Sequence, residues 1–158
     1  MVGGSVEQQE KVKLAHKNGY DYCKNVLLNI SNNNKYSTWF GLYSENRFNK
    51  VKSNYDKIKN RMETTQFTYD LRGRGCGSGT TFAYTTHGAS TVWLCDAFWR
   101  APELGFDSKA GTIVHEHSHA SSYTEDIAYT QQRAKQLALS DPDSSINNAD
   151  NYEYYSEE

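Results

Sequence analysis

The segment that decides both the fold and the expected chemistry of this chain is Thr112-Ile113-Val114-His115-Glu116-His117-Ser118-His119. His115 and His119 are four positions apart, so on an α-helix their imidazoles project from one face, about 6 Å from each other. Glu116 lies one step round the helix, near a metal held by the two histidines but outside its ligand set. The pattern therefore predicts a zinc site in which Glu116 takes a proton from an attacking water.

A His-Glu-x-x-His pattern also occurs by chance as an exposed helix face, but the apolar and β-branched stretch 112–114 before it favours a buried helix. A catalytic zinc normally has three protein ligands and keeps the fourth position for water. Asp126, after a turn-like segment, and Glu153, on a separate downstream helix, are both candidates for the third ligand. The metzincin alternative is excluded because Glu125 stands where that family has its third histidine. His117 falls on another side of the helix, and we expect it to make a structural hydrogen bond.

Two upstream stretches have the period of amphipathic helices. Apolar or small residues recur at steps of three and four between Val12 and Ile30, and again between Phe48 and Met62. They predict two long helices in the N-terminal half, separated by a break at 32–34, each with a stripe facing the core.

Between these helices and the motif, three segments are rich in β-branched and aromatic residues: 66–69, 80–85 and 91–95. Such segments are typical of short strands, and we expect a small antiparallel sheet. Gly73, Gly75, Gly77 and Gly79 mark a loop, because no long strand-to-helix unit frames them as a phosphate site.

Around and after the motif, helix-capping signals predict further helices. Asp107 or Ser108 can cap the motif helix, Thr124-Glu125-Asp126 can begin a helix that runs to about Leu139, and Asp141-Pro142 can begin another. A last short helix is expected from Asn148 to Tyr155. The predicted fold is α+β, a mainly helical zincin-like domain that occupies residues 1–158 as one unit.

Composition excludes several functions. The net charge of −2 and the lack of Lys/Arg blocks with interleaved aromatics argue against a nucleic-acid partner. No run of about 18 apolar residues is present, so we expect no membrane span. The segment 1–5 lacks the charged and apolar regions of a signal peptide. Three cysteines allow at most one internal disulfide.

The order and spacing of several blocks resemble the deuterolysin-like aspzincin metalloproteases, and among them the fungal peptidyl-Lys metalloendopeptidases. The resemblance covers the chain from about Tyr36 onward. The blocks that carry it are 36–41, 79–84, 92–99, 110–116, Asp126-Ile127-Ala128-Tyr129 and Asn148-Ala149-Asp150-Asn151-Tyr152-Glu153-Tyr154.

This resemblance implies one zinc ion held by His115, His119 and Asp126, with Glu116 as general base, and so prefers Asp126 over Glu153 as third ligand. It also implies that Tyr129 hydrogen-bonds the developing oxyanion. On the predicted helix, Tyr129 lies three positions after Asp126, so both would point to the same side.

Asp150 and Glu153 match the two acids with which lysine-specific relatives hold the substrate lysine after the scissile bond. Three positions apart on a predicted helix, their carboxylates can converge on one ammonium group. The alternative is a solvated acidic terminus, since Glu157 and Glu158 follow closely.

The resemblance further implies a disulfide between Cys76 and Cys95, which leaves Cys23 as a buried free thiol. The N-terminal helix departs from the family because it lacks the early cysteine. We expect a secreted or exported, monomeric protein that acts on polypeptide substrates.

The predicted function is a zinc-dependent endopeptidase that cleaves on the N-terminal side of Lys. The alternatives are an aspzincin protease of broader specificity, a toxin-like catalytic module of a longer chain, a zinc-binding domain without activity, and a metal-free interaction domain. Three apparent donors rather than the four of a structural site, together with a base at Glu116, favour catalysis.

Overall fold

A computed structural model describes residues 1–158 and shows an α+β architecture that is mainly helical. The helices are α1 (Val6–Asn29), α2 (Asn34–Phe40), α3 (Glu45–Thr64), α4 (Asp96–Arg100), α5 (Lys109–Ser122), α6 (Gln131–Ser140), α7 (Pro142–Ser145) and α8 (Ala149–Glu157). The strands are β1 (Thr68–Asp70), β2 (Ala83–Tyr84) and β3 (Thr91–Leu94).

Helix α5, which carries the His-Glu-x-x-His segment, lies at the centre of the molecule and packs against α1, α3 and α8. Every residue of α5 except Ser121 is buried. Its N-cap is Ser108, whose Oγ accepts from the amide of Gly111 at 2.9 Å. Close packing against α1 requires Gly19, because a Cβ there would lie 3.0 Å from the carbonyl oxygen of Ala110. The motif therefore lies on a helix that the core holds on several sides.

The two long helices α1 and α3 supply much of this cover. Their buried stripes follow the three-and-four spacing, with Val12, Ala15, Gly19, Cys23 and Val26 on α1 and Val51, Tyr55, Ile58 and Met62 on α3. Ser5 caps α1 through a capping box with Gln8, and Ser44 caps α3.

Helix α2 occupies part of the region that the sequence indicated as a break. Helix α1 ends at Asn29, and Asn33 caps the start of α2, where its side chain accepts from the amide of Tyr36 at 2.9 Å. With only seven residues, α2 is too short to show a helical period in the sequence. It nevertheless buries Tyr36, Trp39 and Phe40 in the core.

The expectation of an antiparallel sheet was wrong, because the sheet is mixed. Its order is β1-β3-β2, with β3 parallel to β1 and antiparallel to β2. After β1, the long connection 71–82 leads the chain to the far side of the sheet, where β2 forms. The strand that pairs with β1 is therefore β3 and not β2. Val2 bridges to Asp70 at the β1 side. The outer edge of β2 is left without a strand partner.

The predicted helix from Thr124 was also wrong in its first turn, since residues 124–130 form a loop and α6 begins only at Gln131. The reason is that the loop's amides bond outside the segment. Glu125 donates to the carbonyl of Asn147 at 2.8 Å, and Thr130 donates to the Asp150 carboxylate at 3.0 Å. The loop's carbonyls bond outside the segment as well, since that of Glu125 accepts from the Ala149 amide at 2.9 Å and that of Ala128 accepts from Nδ2 of Asn148 at 2.9 Å. These carbonyls therefore do not accept from the amides four residues on, as an α-helix requires.

The cysteine predictions are confirmed. Cys76 and Cys95 form a disulfide with a Cα–Cα distance of 5.5 Å, which ties the glycine loop to the end of β3. Cys23 is a buried free thiol, and burial raises its pKa far above the usual range. None of the helices contains a stretch long and apolar enough to cross a bilayer.

Candidate active site and metal centre

Three side chains converge on one point at the C-terminal half of α5. The Nε2 atoms of His115 and His119 are 3.1 Å apart. Oδ1 of Asp126, from the loop after α5, lies 3.1 Å from Nε2 of His115 and 3.0 Å from Nε2 of His119. The structure thus brings together the three residues expected to bind metal.

The other nitrogen of each ring shows which atom carries the proton. Nδ1 of His119 lies 2.7 Å from the carbonyl oxygen of Thr124, which can only accept, so Nδ1 is the donor. Nδ1 of His115 lies 2.7 Å from Asp150 Oδ1 and 3.1 Å from Glu153 Oε2, so it is a donor as well. In the neutral rings each Nε2 atom therefore carries a lone pair, and the two lone pairs face each other and the Asp126 carboxylate.

The pKa shifts of the residues around this point also indicate a site for a cation. Burial opposes protonation of His115, but its hydrogen bonds with Asp126, Asp150 and Glu153 outweigh burial and raise its pKa well above the usual range. Burial likewise opposes the ionised form of Asp126, while the bonds to both histidines hold its pKa far below the usual range. The protein thus favours positive charge between the three donors. Two imidazole nitrogens and one carboxylate oxygen fit a zinc ion.

Glu116 is buried beside this point. Its Oε1 lies 3.9 Å from Nε2 of His115, and its Oε2 is buried without a hydrogen-bond partner in the protein. Burial raises the pKa of Glu116, although the two neighbouring histidines lower it. A buried carboxylate oxygen without a protein partner is suited to bonding a water or a substrate group.

The loop that carries Asp126 and Tyr129 is held by the start of α8. Oδ1 of Asn148 accepts from the amides of Ile127 at 2.8 Å and Ala128 at 3.1 Å, and its Nδ2 donates to the carbonyl of Ala128 at 2.9 Å. Asp126 and Tyr129 are therefore not on one helix face, contrary to the sequence-based expectation. The loop nevertheless directs both into the same cavity.

Tyr129 is 53% exposed and lines the cavity beside Asp126. Partial burial and the neighbouring carboxylate of Asp126 raise its pKa to about 12. Its phenol therefore stays protonated at neutral pH and is available as a hydrogen-bond donor.

Asp150 and Glu153 are 6% and 7% exposed, so they are not a solvated acidic terminus. They lie on α8 against the Nδ1 side of His115, away from the point where its Nε2 meets Asp126. Burial and the charges of Asp150 and Asp107 raise the pKa of Glu153 to about 7, against the opposing effect of His115. Asp150 and Glu153 thus contact His115, a candidate metal ligand, at the ring nitrogen that does not face the other two ligands.

One cavity of about 540 Å³ is lined by all the predicted site residues: His115, Glu116, His119, Asp126, Tyr129, Asp150 and Glu153. One wall is the segment 80–85, which includes β2, and the floor is α5. The other walls contain the functional residues of the loop and of α8, with Asp107, Thr112, Thr130 and Tyr154 between them.

His117 points to the rear of α5, as expected from its position on the helix. Arg61 Nε donates to its Nδ1 at 3.1 Å, so Nε2 carries the proton and meets the Tyr69 hydroxyl at 2.9 Å. Tyr69 in turn donates to Nδ1 of His16 at 2.9 Å, and Nε2 of His16 donates to the carbonyl of Met62 at 3.1 Å. This chain of hydrogen bonds joins α5 to α1, α3 and β1.

Three residues of the site were not predicted from the sequence. Asn148 was assigned only to a helix start, but it makes no cap hydrogen bond and instead holds the loop. Thr124 was placed in a helix, whereas its carbonyl orients His119. Asp107 was considered only as a cap, and its place in the cavity required the path of the chain before α5.

Comparisons with known proteins show the family of this chain. A family model described as lysine-specific metallo-endopeptidase, of the aspzincin type, matches residues 27–157. The chain is similar to a zinc peptidase from Grifola frondosa of known structure, with a TM-score of 0.88 and 37% identity over 98% of this chain and 96% of the other.

Curated relatives extend the comparison. A peptidyl-Lys metalloendopeptidase from Pleurotus ostreatus is 35% identical over 99% of this chain and 95% of its own length. An extracellular protease from Aeromonas hydrophila is 43% identical over 80% of this chain, and a peptidyl-Lys metalloendopeptidase from Grifola frondosa is 44% identical over 78%. The matches cover only 36% and 35% of those two relatives, about a third of their length. This chain belongs to the aspzincin family of lysine-specific metallo-endopeptidases.

Proposed function

We propose that this chain is a zinc-dependent endopeptidase and that residues 1–158 form one catalytic domain. The observation that carries the proposal is the meeting of two imidazole lone pairs with the Asp126 carboxylate beside the unpartnered oxygen of Glu116. The similarity to a zinc peptidase over nearly the whole chain supports it.

In this proposal His115, His119 and Asp126 hold one zinc ion. When bound, zinc supplies Lewis acidity, which polarises the scissile carbonyl and makes water a better nucleophile at neutral pH. The hydrogen bonds of Nδ1 from His115 to Asp150 and from His119 to the Thr124 carbonyl fix the two tautomers. Such outer contacts orient the ligand rings and increase their basicity.

Glu116 is the proposed general base. Its free oxygen accepts a proton from the attacking water and passes it to the leaving amine, so that one carboxylate serves both halves of the hydrolysis. Tyr129, protonated because its pKa is about 12, donates to the oxygen that becomes negative in the tetrahedral transition state.

The free edge of β2 is the proposed site for the substrate backbone. This strand pairs with β3 on one side only and lines the cavity on the other. An extended peptide that adds to such an edge gains main-chain hydrogen bonds and directs alternate side chains toward α5.

We propose that the side chain after the scissile bond is lysine, received by the acidic end of the cavity at Asp150 and Glu153. Support comes from the burial of both carboxylates and from relatives named as peptidyl-Lys metalloendopeptidases. A compact ammonium suits this site better than a guanidinium, whose fork would leave donors unpaired at a cost of about 1–3 kcal/mol. We therefore expect about ten- to a hundredfold preference for Lys over Arg.

The experiment that tests the specificity compares the wild type with the double variant Asp150→Asn, Glu153→Gln on peptides that differ only in Lys, Arg or Ala after the scissile bond. The double variant should lose the preference for Lys. Because both carboxylates contact His115, it should also bind zinc more weakly, by about 10- to 100-fold. The assay therefore needs saturating zinc. A Lys preference that survives the double substitution would contradict the assignment.

We further propose that the protein acts on polypeptides outside the cell as a monomer. Its disulfide is of the kind that persists in oxidising surroundings, and one relative is named an extracellular protease. Size-exclusion chromatography with light scattering tests the monomeric state.

A further inference from the structure

We propose that Asp107 is a third acidic determinant of lysine specificity and that, with Glu153, it receives the substrate ammonium. This inference rests on the proposed peptidase function and adds a residue to its specificity site. Asp107 lines the same cavity as Asp150 and Glu153, at the turn just before α5.

Asp150 and Glu153 already accept hydrogen bonds from the protein, so a third acceptor for the substrate ammonium is expected nearby. Both oxygens of Asp150 are engaged, Oδ1 with His115 Nδ1 at 2.7 Å and Oδ2 with the amide of Thr130 at 3.0 Å. Glu153 uses Oε2 for His115 and keeps Oε1 without a protein partner. An ammonium group has three donors, and Asp150 and Glu153 already give part of their acceptor capacity to His115 and Thr130, so a third carboxylate would complete its hydrogen bonds.

Asp107 is held where it can supply the missing acceptor. The Tyr154 hydroxyl donates to its Oδ1 at 2.6 Å, and Tyr154 follows Glu153 directly on α8. The Asp107 amide donates to Glu157 Oε2 at 3.1 Å, while Glu157 Oε1 accepts from the Ser108 amide at 2.9 Å. Both the side chain and the backbone of Asp107 are therefore fixed from α8, and its Oδ2 has no bond from the protein.

The backbone of Asp107 gives a way to separate its charge from its conformation. Its φ is 54°, in the left-handed region that glycine adopts freely and that Asp and Asn tolerate better than other side chains. Asp107→Asn keeps this tolerance and the oxygen that accepts from Tyr154, and removes only the charge. Asp107→Gly keeps the turn and removes the whole side chain.

The test measures kcat/KM for two peptides that differ only in Lys or norleucine after the scissile bond. Norleucine has the same unbranched stem without the ammonium. Asp107→Asn should lower kcat/KM for the Lys peptide about tenfold, as expected for a charge-assisted hydrogen bond, and leave the norleucine peptide unchanged. Asp107→Gly should do the same. Asp143→Asn, at a carboxylate on α7 that is 82% exposed, is the matched control and should change neither rate.

An unchanged ratio of Lys to norleucine in both Asp107 variants would overturn the inference and leave the proposed function intact. Equal losses on both peptides would also overturn it, because they would show a structural role. If the wild type cut both peptides equally well, the proposed lysine specificity would be wrong. If it cut neither peptide, the proposed peptidase function itself would be wrong. The test thus distinguishes a failure of this inference from a failure of the proposed function.

Discussion

Asn148 holds both backbone polar groups of Ala128, because its Oδ1 accepts from the Ala128 amide at 3.1 Å and its Nδ2 donates to the Ala128 carbonyl at 2.9 Å. Asn148 is fully buried at the start of α8, whereas the loop it holds has no regular structure of its own. Asp126 and Tyr129 lie on either side of the clamped residues. Their positions therefore depend on one amide side chain that is distant in sequence.

Replacing this amide should affect the site more than the fold. Asn148→Ala removes three hydrogen bonds to the loop, so we expect weaker zinc binding and a fall in kcat of at least tenfold, together with about 1–3 kcal/mol of lost stability. The control is Asn54→Ala, which removes a buried amide bonded to Tyr152 rather than to the loop. Steady-state kinetics and urea unfolding give the two readouts. Equal kinetic losses in both variants would show that Asn148 only stabilises the fold.

Tyr129 should act mainly in the transition state. Tyr129→Phe removes the proposed oxyanion donor, so kcat should fall by about 10² to 10³ with little change in KM. Because Tyr129 is 53% exposed, the substitution should leave the unfolding midpoint unchanged. Tyr123→Phe, at a tyrosine of 56% exposure that does not line the cavity, is the control. A near-normal kcat in Tyr129→Phe would remove this residue from the mechanism.

The zinc ligands can be separated from the groups behind them. Asp126→Ala should abolish tight zinc binding, because its oxygen is one of the three donors that converge. Glu153→Gln should weaken binding by no more than about 10- to 100-fold, since Glu153 contacts only Nδ1 of His115. Competition with a chromophoric chelator measures both affinities. The reverse order of effects would assign Glu153, and not Asp126, to the metal.

Acid should destabilise the protein partly through His16. Burial lowers the pKa of His16, against the opposing effect of its bond to the Met62 carbonyl, so the folded state favours the neutral ring. The unfolded chain, with a histidine pKa of about 6.5, then binds more protons, and stability falls as the pH decreases below that value. Protonation would also place a donor at Nδ1, which accepts from Tyr69.

His16→Gln tests this, because glutamine can accept from Tyr69 and donate to Met62 without titrating. The unfolding midpoint of the wild type should fall more between pH 7.5 and pH 5 than that of the variant, with both proteins in the same zinc state. Parallel losses would show that His16 does not contribute to the acid sensitivity.

The sequence predicted the parts of the site that lie on one helix. The spacing of His115 and His119 fixes their common face, and the position of Glu116 follows from the same geometry. His117 was assigned to the rear face by the same argument, and the structure shows it bonded to Arg61 and Tyr69. Local periodicity was sufficient in each of these cases.

Features that depend on distant contacts were not predictable in this way. The loop 124–130 contains residues that can begin a helix, yet its amides bond to Asn147, Asn148 and Asp150. The parallel pairing of β1 with β3 depends on the path of the connection 71–82, which no local sequence pattern encodes. The contacts of Asp150 and Glu153 with His115 likewise required the packing of α8 against α5.

Zinc-dependent cleavage before lysine is tested most directly when the zinc-loaded protein is incubated with a mixture of denatured proteins and the cut sites are mapped by mass spectrometry. Glu116→Gln, which should keep zinc and fold but cannot accept the proton from water, is the matched control. We expect new peptides that begin with Lys in the wild type and none above background in Glu116→Gln or with a chelator. No new termini in the zinc-loaded wild type, or equal cleavage by Glu116→Gln, would contradict this expectation.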